Sequence, residues 1–211
     1  MPGIFITFEG IEGVGKSTLQ MAMAEALRLK EFDVLVTREP GGTPLGENLR
    51  QAILSQDHVV VDPVTELLIM FAARAQHVTQ CIQPALAEKK IVLCDRFSDT
   101  SRAYQGGGRG LPMQYIEELV LMTHPTTHPT LTFWLDLPVA QALSRVGKRA
   151  MAFDRIEQEK IDFFERARAV YAQLALTEPQ RIIRLDAALN PDELLQQALK
   201  VFFNQFADQI R

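Results

Sequence analysis

Residues Gly10-Ile11-Glu12-Gly13-Val14-Gly15-Lys16-Ser17 match the pattern G-x-x-x-x-G-K-[ST], and their flanks constrain how the chain can fold. Ile4-Phe5-Ile6-Thr7-Phe8 before them is a short apolar run that reads as a buried strand. From Ser17 to Leu29, residues Leu19, Met23, Ala26 and Leu27 recur at helical spacing. Strand, glycine loop and helix in that order gather backbone N–H groups in front of a helix N-terminus, where negative charge is favoured. The loop is therefore expected to hold the phosphates of a nucleoside triphosphate through Gly10, Ile11, Glu12, Gly13, Val14, Gly15, Lys16, Ser17 and Thr18. Lys16 would reach the outer phosphates and the Ser17 hydroxyl would sit on Mg2+.

The rest of the chain alternates short apolar runs with longer amphipathic ones. Strands are expected at Ile4–Phe8, Asp33–Thr37, Ile91–Asp95, Thr130–Asp136 and Arg181–Leu185. Helices are expected at Ser17–Leu29, Leu45–Leu54, Val64–Glu88, Met113–Met122, Pro138–Val146, Ile156–Leu176 and Pro191–Phe206. Such alternation implies an α/β domain, a five-stranded parallel sheet flanked by helices with right-handed crossovers. With the glycine loop it becomes a three-layer P-loop NTPase fold, one domain over residues 1–211 with no linker to divide it. Pro40-Gly41-Gly42 and Gly106-Gly107-Gly108-Arg109-Gly110 read as irregular segments. Ligands of parallel sheets bind at the carboxyl ends of the strands, where Gly10, Arg38, Asp95, Arg96 and Asp136 fall.

Charge narrows the ligands. The net charge of −4 leaves no broad basic field for nucleic acid, so a small anion would need local arginines. Two cysteines, Cys81 and Cys94, suit a reducing compartment. The N-terminal residues lack the features of a secretory signal, and no apolar stretch reaches membrane-spanning length. A cytoplasmic location and no membrane partner are expected. His58, His77, His124 and His128 show no metal-ligand spacing with cysteine, and His77 reads as a helix-packing or hydrogen-bonding group.

A phosphate loop alone names no second substrate; the arginines do. Arg38 follows the second strand and Arg96 the third, while Arg50 and Arg74 lie on helices leaving the same edge. Guanidinium forks grip phosphate with paired bonds, so their convergence implies a second, phosphorylated substrate. Asp95, closing an apolar run, would orient Mg2+-bound water or hold a neighbouring arginine. A nucleoside kinase would instead need a carboxylate base for a hydroxyl, and a nucleotide-dependent switch would carry a guanine-reading N-K-x-D run, which this chain lacks. Another P-loop nucleotide or deoxynucleoside kinase is the alternative reading.

Six runs resemble bacterial thymidylate kinases along nearly the whole length. They are Phe8-Glu9-Gly10 through Ser17-Thr18, Thr37-Arg38-Glu39-Pro40-Gly41-Gly42-Thr43, Phe71-Ala72-Ala73-Arg74-Ala75-Gln76-His77, Asp95-Arg96-Phe97, Ala103-Tyr104-Gln105-Gly106-Gly107-Gly108-Arg109-Gly110 and Asp154-Arg155-Ile156-Glu157. The resemblance implies transfer of the γ-phosphoryl of ATP to dTMP, with Mg2+, in dTTP biosynthesis, by a homodimer. It implies that Arg96 holds the acceptor phosphate, helped by Arg38, by Pro40 nearby and by Arg50 or a water. Arg74 would donate to thymine O4, Gln105 and Ser101 would flank the polar edge of the base, and Tyr104 would press on the sugar and favour deoxyribose. Phe71 is taken as the ring that stacks on the base, although in many relatives the ring lies one residue earlier, where this chain has Met70.

The resemblance also implies a short mobile lid over ATP, here about residues 145–155. It carries Arg145, Lys148, Arg149 and Arg155, with Gly147 allowing a bend. Arg149 is taken as the lid cation that meets the transferring phosphate, completing a catalytic set of Lys16, Asp95, Arg96 and Arg149. Glu12 puts a carboxylate in the phosphate loop, where it would accept from the sugar 3′-hydroxyl region or from lid arginines.

Overall fold

The computed structural model describes residues 3–55, 60–148, 154–207 and 209. Five strands form one parallel sheet in the order β2-β3-β1-β4-β5: β1 (Ile4–Glu9), β2 (Val34–Arg38), β3 (Ile91–Asp95), β4 (Leu131–Asp136) and β5 (Ile182–Asp186). The expected α/β P-loop architecture is borne out, with each strand within one residue of its expected start. β1 and β4 are buried along their whole length, which is why their sequences run apolar without alternation.

The helices in chain order are α1 (Lys16–Arg28), α2 (Pro44–Leu54), α3 (Pro63–His77), α4 (Gln83–Ala87), α5 (Ser98–Ser101), α6 (Met113–Thr123), α7 (Val139–Gly147), α8 (Ile161–Thr177) and α9 (Pro191–Gln205). Local chemistry starts several of them. Thr43 caps α2 by accepting from Gly46 N, Asp62 caps α3, and Asn190 with Glu193 closes a capping box on α9. The main core joins β1, β3, β4 and β5 to α1, α8 and α9 through residues such as Phe8, Met23, Phe133, Phe164 and Phe202.

Three expectations need correction. The long helix expected over Val64–Glu88 is interrupted by a π-helical turn at Val78–Ile82. Pro84, the second residue of α4, offers no N–H, and the widened turn before it absorbs the break. The glycine-rich Gly106–Gly110 segment is irregular only at its end: Arg102–Gly108 is a π-helical continuation of α5, and the chain leaves it through Arg109 and Gly110. Its glycines allow close approach to α8, since a side chain at Gly107 would come within 2.6 Å of Val170 and one at Gly108 would enter the Phe163 ring. Finally, α8 begins at Ile161 rather than Ile156, because Asp154 Oδ1 accepts from the backbone N–H of both Ile156 and Glu157 and winds a turn there.

Candidate active site

The loops leaving β1, β2 and β3 enclose a cleft of about 710 Å3. Glu12, Gly13, Gly15, Lys16, Ser17 and Thr18 line one side; Arg38, Pro40, Arg50, Met70, Asp95, Arg96, Thr100, Tyr104 and Gln105 line the other. Glu39, Leu54, Arg145, Val146, Asp154, Ile156 and Glu157 complete the wall.

The phosphate loop is built for an anion. Gly15, at φ 96°, occupies the N-cap of α1 and supplies no side-chain cap, so the first N–H groups of the helix remain for a ligand. Lys16 Nζ donates to the carbonyl of Ile11 at 2.9 Å. Burial and the nearby Arg96 push its pKa down, opposed by Glu12, Asp95 and Glu9. An arriving polyphosphate would relieve that strain.

Behind the loop, Ser17 Oγ donates to Asp95 Oδ2 at 2.6 Å, and the buried Oδ1 of Asp95 has no hydrogen-bond partner. Among the described residues no group of three or more His, Cys, Asp or Glu forms a metal site. One hydroxyl, one carboxylate with a spare oxygen and an adjoining phosphate nest still suit Mg2+, which keeps most of its waters and takes few protein ligands.

Arg96 stands at the centre of the opposite wall, in the left-handed region at φ 70°. A non-glycine residue held there costs of order 1–3 kcal/mol. Its Nη1 donates to the Gly10 carbonyl at 3.0 Å and its Nη2 to Glu12 Oε1 at 2.5 Å and to Tyr104 OH at 3.3 Å. Arg50 donates to the Pro40 carbonyl at 3.0 Å, and Arg38 pairs with Glu47 at 2.9 Å. Burial, then repulsion from Arg38 and from Arg96, pushes the Arg50 pKa down, with Glu47 opposing. Three guanidinium groups therefore feel one another across the same space.

Beneath this wall lies a buried polar network. Arg74 Nε donates to Glu39 Oε2 at 2.6 Å, Nη1 to Ser101 Oγ at 3.0 Å and Nη2 to the Phe97 carbonyl at 3.1 Å. His77 joins Glu39 Oε1 at 3.0 Å and Thr37 Oγ1 at 2.7 Å.

The structure thus brings Lys16, Ser17, Arg38, Pro40, Arg50, Asp95, Arg96, Tyr104 and Gln105 to one cleft, with Gly10, Ile11 and Val14 forming the loop around it. Arg74, Ser101 and Phe71 do not line it. Phe71 requires correction as the stacking ring. It is buried against Leu67, Ile116 and Val120, stacks on His124 and lies beneath the Arg74 guanidinium, while Met70 occupies the cleft wall. Arg149 and His58 lie outside the described residues. Of the other basic residues in the 145–155 segment, Arg145 donates to the Ala187 carbonyl and Arg155 to the Ile53 carbonyl and to Glu66. Glu12 pairs with Arg96 and lies 4.0 Å from Lys16.

Sequence reasoning missed Glu39 and Glu66. A signal existed for the latter: Glu66, Met70, Arg74 and His77 recur on one helical face among apolar residues, so charge was being carried into the interior.

A sequence profile described as Thymidylate kinase matches residues 8–198. The thymidylate kinase of Pseudomonas fluorescens (strain Pf0-1) is 47% identical over 199 residues, covering 94% of each chain. That of Pseudomonas putida (strain W619) is 48% identical over 208 residues, 99% of this chain and all of the relative. The crystal structure of thymidylate kinase from Ehrlichia chaffeensis superposes with a TM-score of 0.78 at 32% identity, over 96% of this chain and 99% of the other.

Proposed function

The chain belongs to the thymidylate kinase family, and we propose that its cleft transfers the γ-phosphoryl group of ATP to dTMP, giving dTDP and ADP. The observation that carries this reading is the convergence of an uncapped helix N-terminus with Arg38, Arg50 and Arg96 on one cleft.

In this reading the loop from Gly10 to Thr18 binds the ATP phosphates and Lys16 the outer ones. Arg96, with Arg38 and Arg50, holds the phosphate of dTMP. One oxygen of that phosphate attacks the γ-phosphorus while the bond to the β,γ-bridging oxygen breaks, and ADP leaves with the electron pair. The attacking oxygen is already anionic near neutral pH, so no general base is required; alignment and positive charge do the work. Ser17 and Asp95 would hold Mg2+, which when bound neutralises charge on the transferring group. Gln105 offers an unpartnered amide oxygen to the base, with Arg74 and Ser101 behind it, and Tyr104 supports the sugar. Met70 supplies the apolar surface against the base. Arg149 is retained as the lid cation by resemblance alone.

Exposed Leu68 on α3 and Tyr115, Leu121 and Met122 on α6 support a homodimer formed through these helices. No described helix is long and apolar enough to cross a membrane, and a cytoplasmic location is proposed.

A coupled ADP-release assay tests the function. Release from ATP that depends on dTMP is expected. Release with thymidine but not dTMP would make the protein a nucleoside kinase, and release without any acceptor would make it a hydrolase.

A further inference from the structure

Glu66 on α3 has no solvent exposure, yet its carboxylate receives donors from three residues on two separate segments. Oε1 accepts from Gln105 Nε2 at 2.8 Å and from Arg109 Nε at 3.1 Å. Oε2 accepts from Arg109 Nη2 at 2.9 Å and from Arg155 Nη2. Two guanidinium groups on one buried carboxylate keep it ionised: burial opposes the charge, but these bonds hold the Glu66 pKa below its ordinary value. An ionised carboxylate only accepts hydrogen bonds.

That has a chemical consequence for Gln105. A primary amide can turn over and exchange its oxygen for its nitrogen. Facing Glu66, the turned amide would set its oxygen against a carboxylate that can only accept. Gln105 is thereby locked with its nitrogen on Glu66. Its Oε1 is buried and without a partner, and the residue borders the same cleft as Tyr104 and Met70. A buried acceptor left unpaired carries a desolvation cost until a donor arrives.

We propose that Glu66 is a positioning residue for specificity: it fixes the polarity of the Gln105 amide, so that the cleft selects a pyrimidine carrying a ring N–H over one presenting a ring-nitrogen lone pair at that edge. The inference rests on the reading that the cleft binds a pyrimidine monophosphate. Thymine and uracil carry the N–H; cytosine carries the lone pair. Arg109 and Arg155 serve by keeping Glu66 anionic, so the identity of the base is read through a carboxylate that never touches it.

The test measures kcat/KM of Glu66→Gln for dTMP, dUMP and dCMP with ATP saturating. A glutamine at 66 can donate as well as accept, which frees the Gln105 amide to turn. The preference for dTMP over dCMP is expected to shrink by roughly tenfold or more, because discrimination by a fixed hydrogen bond is steep and is lost with the fixing. The preference for dTMP over dUMP should stay as in the wild type, since both bases carry the N–H and differ only in a methyl group. A uniform fall for all three nucleotides, or an unchanged dTMP-to-dCMP ratio, would overturn the inference. Gln105→Met should narrow the same ratio, and adding Glu66→Gln to it should narrow it no further; additive effects would equally overturn it. If Glu66→Gln does not fold by circular dichroism, Glu66→Asp keeps the charge and withdraws the carboxylate from Gln105. A wild-type ratio in Glu66→Asp would then refute the proposal, and a narrowed one would support it. Wild-type enzyme inactive on dTMP would refute the proposed function instead.

Discussion

Glu12 in the phosphate loop accepts a 2.5 Å hydrogen bond from Arg96, 84 positions further along the chain. The same carboxylate lies 4.0 Å from Lys16. The cation proposed for the acceptor phosphate is thus oriented by the loop proposed for the donor. The arrangement also explains the left-handed backbone at Arg96: the turn after β3 brings the guanidinium back over the Gly10 carbonyl.

Arg96→Ala should lower kcat/KM for dTMP about 10³-fold or more, in the range seen when arginines that face a transferring phosphoryl group are lost. It also leaves Glu12 facing the nucleotide without its arginine, so ADP affinity, measured calorimetrically, should fall. Adding Glu12→Gln should restore ADP affinity while leaving turnover low. Recovery of both together would assign Arg96 to loop order alone.

Asp95→Asn removes the charge beside Ser17 and keeps the shape. The Mg2+ concentration for half-maximal turnover at fixed ATP should rise, and kcat should fall on the order of a hundredfold. An unchanged Mg2+ titration would remove Asp95 from the metal's surroundings.

Met70 and Phe71 separate binding from stability. Met70→Ala should raise the KM for dTMP with a small change in thermal midpoint. Phe71→Ala should destabilise the fold by about 3–5 kcal/mol, as emptying a packed aromatic site does. Kinetics and denaturant unfolding of the two variants check this; the reverse pattern would return Phe71 to the base.

These two neighbours also show what a sequence can and cannot disclose. The loop from Gly10 to Ser17 was legible because its function is carried by backbone geometry that only certain residues permit, and the strands because buried runs announce themselves. Phe71 was misjudged because an aromatic on an amphipathic helix has the same pattern whether it faces a ligand or the core. A turn of about 100° per residue decides the matter, and only packing against Ile116 and Val120 sets that phase. Gly106 to Gly108 read as a break because glycine favours turns; their actual role, contact with Val170 and Phe163, depends on a helix some sixty residues away. The partners of Glu39 and Glu66 could not be read for a similar reason, since Arg74 and Arg109 come from distant segments, although the helical face of Glu66 did announce a buried charge.

Two buried histidines contribute to the pH dependence of stability, one on each limb. Burial works against charge on His77, but hydrogen bonds to Cys81 and Glu39 carry its pKa up to about 9 from 6.5. Its contribution is fully present below 6.5 and is lost as pH rises through 9. Burial and the Arg74 charge take His124 down to about 3. Its contribution is full above 6.5 and is lost as pH falls toward 3. Thermal midpoints across pH should show that His124→Asn flattens the acid limb and His77→Gln the alkaline limb. A variant that leaves the slope of its own limb unchanged would contradict the assignment.

The central claim is that two anions meet head to head in one cleft, one on main-chain amides after β1 and the other on Arg96 and its neighbours. Equilibrium titration with adenosine and thymidine joined through five phosphates tests it most directly. The account requires one site per chain, with ADP and dTMP each competing for it. A ligand displaced by ADP alone, leaving dTMP still bound, would place the two nucleotides in separate sites and contradict the account.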